Sequence, residues 1–238
     1  MKIKNIFIAV VLLPLIFSSC SDFLEIKDES AISTKIWDNE ESAKLYINNI
    51  YSLCFTSFGG DNTLGSPAGL SDETSDMSSS ILLGTIASSG VTLFSSGSYE
   101  AIRYINIGFD ALQQSELRGD ARNRIAGQLY FFRALQHWKM VNIYGGVPYM
   151  KDYVNFTSAD ELVNAKRNKT SECIAYMKQD LDSAIALLPA VWVASEYSRI
   201  TRAAAASLKG RILLFYASPQ FNPTNEKSRW EDAYNANI

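Results

Sequence analysis

The chain has 238 residues, long enough for one sizeable core or two small ones, and 47% of them are hydrophobic. Its 22 basic residues are outnumbered by 25 acidic ones, which argues against a nucleic-acid partner, whose phosphates must be neutralised by lysine and arginine. A single histidine (His137), three cysteines and no CxxC leave a zinc site of the usual His/Cys kind short of ligands.

Residues 1–19 have the layout of a secretory signal. Lys2 and Lys4 form a positive start, Ile6 to Phe17 is almost wholly apolar, and Ser18 and Ser19 are small. The apolar run is too short for a spanning helix, which needs about 20 residues, and Pro14 interrupts it. Small residues directly before Cys20 resemble a bacterial lipobox, although Phe17 stands where that pattern more often has Leu or Ile. The resemblance implies cleavage before Cys20, attachment of a diacylglycerol to its thiol, and acylation of the new amine, with palmitate as the implied acyl group. An ordinary signal peptide with an incidental cysteine is the competing reading. Removing residues 1–19 takes away two lysines and no acid, so the mature chain is more acidic still.

The acidic stretch after Cys20 reads as a tether. "WDNEESAKLYINNIYSLCF" predicts a helix capped by Asp38 or Asn39, with Glu40 and Glu41 in its first turn and Ala43, Ile47, Ile50 and Cys54 on one face. Residues 56–98 are rich in Gly and Ser and lack helical periodicity, which predicts a long irregular excursion. Leu82, Leu83, Ile86, Val91, Leu93 and Phe94 are available to pin it to a core.

Helices then follow one another. "YEAIRYINIGFDALQQSEL" places Ile102, Ile105, Phe109 and Leu112 on one stripe. "GDARNRIAGQLYFFRALQHWKMVNIYGG" carries two, Ile125, Leu129 and Phe132 beside Phe131, Leu135 and Trp138, so it predicts a central helix packed on more than one side. Gly145 and Gly146 end it, and Pro148 prevents continuation. "TSECIAYMKQDLDSAIALLP" predicts a helix with Thr170 as cap, Glu172 near its start, and Ile174, Met177, Leu181, Ile185 and Leu188 inward. In "ITRAAAASLKGRILLFYASPQFNP" small alanines allow close approach, Leu208, Ile212 and Phe215 face inward, and Pro219 stops the helix. "SRWEDAYNANI" begins another, with Ser228 as cap. Strand signals are thin. The fold class expected is all-α, with tetratricopeptide-like helical hairpins packed in layers and a long irregular loop excursion. Cys54 and Cys173 fall in helical apolar patterns and read as buried free thiols. The last helix has no partner after it, so the chain reads as the N-terminal part of something longer, an incomplete domain.

Several segments together resemble one family, the SusD/RagB-like outer-membrane lipoproteins of Bacteroidetes. They are "CSDFLEIKDESAIST" after the lipobox, "WDNEESAKLYINNIYS" as first helix, the acidic "LSDETSDM", the signature "GQLYFFRALQHWKMVNIYGGVPYM", and "TRAAAASLKGRILLFYASPQFNP". Their order matches, and together they span essentially all of residues 20–238. Gln128 stands where the family usually has Glu, and Phe132 where it more often has Leu. Family members run well beyond this length, which implies that their C-terminal half is absent here. The resemblance implies a cell-surface protein that binds an oligosaccharide or other nutrient and passes it to a SusC-like TonB-dependent channel. A membrane-anchored helical adaptor with no small ligand is the alternative, and a secreted hydrolase is the least supported.

No catalytic residue, metal ligand or cofactor is assigned. His137 lacks an arranged carboxylate or nucleophile and reads as a packed or surface residue. Asp72, Glu73 and Asp76 fit neither a calcium loop nor a clear acid/base dyad and read as turn and cap residues. Arg133, in an oily helix, is expected to pair with an internal carboxylate. Tyr130, Phe131, Phe132 and Trp138 lie on that helix and read as core. Trp192, after Pro189, and Phe94 and Tyr99, which bound the Gly/Ser-rich stretch, are the aromatics a ligand or partner would reach, but none is assigned as a site. The one assigned position is Cys20, as the lipid attachment point; residues 56–98 are the region favoured for ligand or transporter contact.

Overall fold

A computed structural model describes residues 34–37, 39–55, 97–152 and 165–238. They form helices α1 (Glu40–Cys54), α2 (Gly97–Gln114), α3 (Gly119–Tyr144), α4 (Thr170–Leu187), α5 (Arg202–Ala217) and α6 (Lys227–Asn237), with short 3-10 turns at Thr34–Trp37 and Ala194–Glu196. There is no strand among the described residues. Cys20, the acids Asp72, Glu73 and Asp76, Phe94 and residues 56–96 lie outside them; Gly97 and Ser98, expected to close the irregular stretch, already belong to α2.

The apolar stripes explain the packing order. Each helix from α2 onward packs on the next, most extensively α3 on α4 and α5 on α6, and α1 lies against α2 and α3. On α1 the predicted face is fully buried, and Asn39 is the cap: its side chain accepts from the Ser42 N–H at 2.9 Å. α3 runs 26 residues, about 39 Å at 1.5 Å per residue. Ile125, Leu129 and Phe132 are its innermost side chains, while Leu135 and Trp138 are half-buried. Trp138 sits edge-on to Phe215 of α5 at 4.9 Å. Phe109, Ile185, Leu208 and Phe215, expected inward, are also half-buried; on α5 the inner positions are the small Ala205, Gly210 and Ala217 with Ile212 and Leu213.

Two expected caps shift by one or two residues. Lys169, not Thr170, precedes α4, and Glu172 accepts its N–H at 3.0 Å. Glu226 precedes α6, which places Ser228 inside the first turn. The C-terminal ends follow a pattern absent from the local sequence. None of α1 to α4 carries a basic residue in its last turn. The cations that meet their free carbonyls come from farther along the chain. Lys139 of α3 donates to the Cys54 carbonyl at 2.6 Å, Arg118 to that of Ser115 at 2.7 Å, and Arg202 to that of Leu188 at 3.3 Å. Arg167 donates to the carbonyls of Tyr144 and Gly146. Each such bond fastens one helix end to a later segment of the chain.

Candidate functional site

The signature helix and its Tyr-Gly-Gly-Val-Pro exit converge on one buried polar cluster. Gly145 takes φ 70°, a left-handed conformation open to glycine, and its N–H closes on the Val141 carbonyl at 3.0 Å. At Gly146 a Cβ would overlap the Asn168 carbonyl oxygen. The chain can therefore turn back tightly enough for residues 147–152 to run beside α3 and α4.

Arg133 binds there. Its Nε and Nη2 donate to Asp180 of α4 at 2.8 and 2.6 Å, and its Nη1 donates to the Lys151 carbonyl at 2.6 Å. The guanidinium also lies 4.5 Å over the Phe109 ring. Tyr149 donates its hydroxyl to Asp180 at 2.8 Å, and Asn106 of α2 donates to the carbonyls of Met150 and Asp152 at 3.2 and 3.1 Å. Burial works against the Arg133 charge, but the bonds and charge of Asp180 more than offset it and its pKa is raised. Burial first, then the Asp180 charge, raises the Tyr149 phenol. The internal carboxylate expected for Arg133 is thus Asp180.

His137 is fully buried and stacked on Tyr149, with ring centroids 3.7 Å apart. Nδ1 faces the Arg133 carbonyl at 2.9 Å, and Nε2 faces the Met150 N–H at 3.2 Å. A carbonyl only accepts and an N–H only donates, so Nδ1 carries the proton and Nε2 is the acceptor. Both nitrogens are committed to the fold. Burial, with Arg133 adding repulsion, pushes its pKa down to about 3. The ring has neither a free lone pair nor a proton to exchange near neutral pH.

A second cluster lies where α1, α3 and the α4–α5 connection meet. Gln128 is buried, and its Oε1 accepts from the Tyr51 hydroxyl at 3.0 Å and from Arg199 at 3.3 Å. Position 128 therefore holds a neutral amide opposite an arginine. Trp192 is also buried, not displayed: its indole N–H donates to the Ile200 carbonyl at 2.8 Å. Tyr99 is half-buried and donates to the Pro148 carbonyl at 3.1 Å. The Trp192 ring presents no free face for a sugar. Sequence reasoning missed Asp180, Tyr149 and Asn106; the available signal for Asp180 was its place on the inner side of α4, three residues after Met177 and one before Leu181.

No group of three or more His, Cys, Asp or Glu side chains among the described residues is placed to hold a metal ion, and no described helix is long and apolar enough to cross a membrane. The sequence model of a SusD-like family, described as starch-binding and associating with the outer membrane, matches residues 22–214. This chain belongs to the SusD-like family. Among solved structures, it is similar to a SusD-like protein of Bacteroides fragilis at 24% identity and TM-score 0.66, with 88% of this chain and 39% of that one covered. It is also similar to a SusD-like carbohydrate-binding protein of the same organism at 18% identity and TM-score 0.67, covering 85% and 40%. A laminarin-binding SusD-like protein aligns at 19% identity and TM-score 0.61, covering 78% and 42%. The chain thus spans well under half the length of these SusD-like structures, and at such identities the likeness shows the fold. No curated protein matches in sequence. The all-α hairpin architecture is that of the SusD-like fold, and the buried cluster around Arg133 is what the family signature builds in this chain.

Proposed function

We propose that this SusD-like chain is part of a cell-surface lipoprotein that binds a glycan and delivers it to a SusC-like TonB-dependent outer-membrane channel, anchored through lipid on Cys20. The observation that carries this reading is the family match over residues 22–214, whose description joins starch binding to the outer membrane. The role is capture and delivery, not turnover. The anchor reading rests on the small residues before Cys20 and the acidic tether after it; stable attachment takes more than one acyl chain, as the lipobox resemblance implies.

Titration calorimetry of the protein made in its native host, against soluble starch and laminarin oligosaccharides, tests ligand capture. Saturable heat with one of them is expected. Silence with every soluble glycan, together with retained association with a channel, would leave the helical adaptor in its place. Cys20→Ala is expected to move the protein from the membrane fraction to the soluble one; continued membrane retention would count against the anchor.

A further inference from the structure

The hairpin of α5 and α6 meets α4 along one side. Lys209 of α5 meets Asp182 of α4 at 2.6 Å, and Asp232 of α6 meets Lys178 of α4 at 3.6 Å. Successive helical residues turn by about 100°. Leu214, five residues past Lys209, therefore lies about 140° farther around α5. Trp230 and Tyr234, each two residues from Asp232, lie about 160° around α6 from it. Both helices thus turn these side chains away from α4.

The register joins them into one surface. A Cβ on Gly210 would overlap the Asn237 side chain, so the antiparallel pair sets Gly210 opposite Asn237. Leu214, one turn on from Gly210, then falls level with Ala233 and Tyr234. Trp230, Tyr234 and Ile238 follow one another at intervals of four and form a single ridge. Trp230 is held there by its indole N–H, which donates to Asn225 at 2.8 Å. Leu214, Trp230, Tyr234 and Ile238 are 52%, 38%, 66% and 85% exposed.

In stacked helical hairpins each unit packs on its neighbours, and a terminal unit needs a polar outer face to stay soluble. The outer face of α5–α6 is apolar instead, which is the composition of an internal unit. Other occupants fit less well. Glycan sites are concave, with polar groups converging on the ligand, whereas this ridge runs along a helix and includes the aliphatic Leu214 and Ile238. A separate protein or a second copy needs about 1,200–2,000 Å² of buried surface in total, and these four side chains supply roughly a few hundred. A segment of the same polypeptide needs no such area, because joining it to the surface costs only loop closure. The SusD-like structures are long enough to hold one: this chain aligns with 39% and 40% of two of them.

We propose that the Leu214–Trp230–Tyr234–Ile238 ridge is the seat of a further helix of the same protein, in a form longer than these 238 residues, laid along α5 and α6 with its apolar face inward. The proposal rests on family membership and is independent of the glycan and channel readings. The test compares the recombinant 238-residue chain with protein captured from the native host by an antibody to that chain. In hydroxyl-radical footprinting, Trp230 and Tyr234 are expected to oxidise at least fivefold more slowly in the native-host protein, each form scaled to its own rate in concentrated urea. Leu214→Ser/Tyr234→Ser is expected to leave the urea midpoint of the 238-residue chain unchanged and to raise the unfolded fraction of the longer form at least tenfold. A native-host product whose intact mass is no greater than that of this chain overturns the proposal, and so does equal oxidation in the two forms. Protection that vanishes on dilution to a monomer, or on removal of a co-purified protein, assigns the ridge to a second copy or to a separate partner and overturns it. Protection of the 238-residue chain by starch or laminarin oligosaccharides assigns it to a glycan and overturns it as well. If the double variant does not accumulate, Tyr234→Ser alone is compared, and an equal midpoint shift in both forms overturns the proposal.

Discussion

Arg133 of α3 and Asp180 of α4 form a two-toothed ion pair in the interior, with bonds of 2.8 and 2.6 Å and only 8% and 5% of the two residues exposed. The pair reaches beyond the two helices, because Tyr149 shares Asp180 and the Lys151 carbonyl shares Arg133. It therefore fixes where the exit of the signature helix runs. Its role is to hold the fold in register.

Breaking such a pair leaves a buried charge without its partner, which costs about 3–5 kcal/mol, whereas replacing both members with apolar side chains is often neutral. Arg133→Met and Asp180→Leu are each expected to lose stability on that scale in urea unfolding. The double variant should lose much less than the sum. Additive losses would show that the two residues act separately.

His137 makes stability depend on acid. Its pKa falls from the ordinary 6.5 to about 3 in the folded chain, so the unfolded chain binds the proton more readily. Stability from this residue is complete above pH 6.5 and declines as pH falls toward 3, by up to about 1.4 kcal/mol per pH unit for one proton. Gln can offer both a donor and an acceptor but does not titrate. His137→Gln is expected to flatten the pH dependence of the urea midpoint between pH 6 and 4 relative to wild type. Parallel curves would remove His137 as the source.

Some of this arrangement was legible in the sequence. An arginine on an oily helix needs a carboxylate, and Gly145-Gly146 before Pro148 announces a tight exit. Which carboxylate was not legible, because Asp180 belongs to a helix whose apolar stripe is read without it; only the packing of α3 on α4 selects it. Trp192 lies in the connection after Pro189 and reads as within reach of a ligand or partner, yet the closure of that connection on α1 buries it. The helix-end cations escaped for a similar reason: Lys139, Arg167 and Arg202 are far from the carbonyls they meet or beyond a chain reversal. Cys20 was singled out by its neighbours alone and lies outside the described residues. Ligand contacts had no local signal, since the aromatics of the signature helix serve packing.

The two kinds of glycine constraint should separate experimentally. Gly119 has φ 57° and open space around its Cβ position, so Gly119→Ala meets only backbone strain, about 1–2 kcal/mol. At Gly146 the added methyl would press on backbone atoms of Asn168, Lys169 and Thr170, which cannot rotate away. Gly146→Ala is expected to cost clearly more than Gly119→Ala in urea unfolding and to disturb the near-ultraviolet signal of Tyr149. Equal costs would mean that the approach to Asn168 relaxes freely.

Cys54 and Cys173 are both free and fully buried. Burial pushes the Cys54 thiol up to about 11 and raises that of Cys173. The thiolate is the reactive form, so both chemistry and access protect these residues in the folded chain. Iodoacetamide at pH 8 is expected to leave both unmodified by mass spectrometry over a time in which a small-molecule thiol reacts completely, and to label both in concentrated urea. Cys173 Sγ lies 3.4 Å from the Val147 carbonyl, at the start of the exit segment that the Arg133 cluster holds. Labelling of Cys173 in Arg133→Met, under conditions where wild type stays protected and Cys54 is still silent, would therefore report local release of that segment. Simultaneous labelling of both thiols would show that the cluster and the α1 end open only together, by global unfolding.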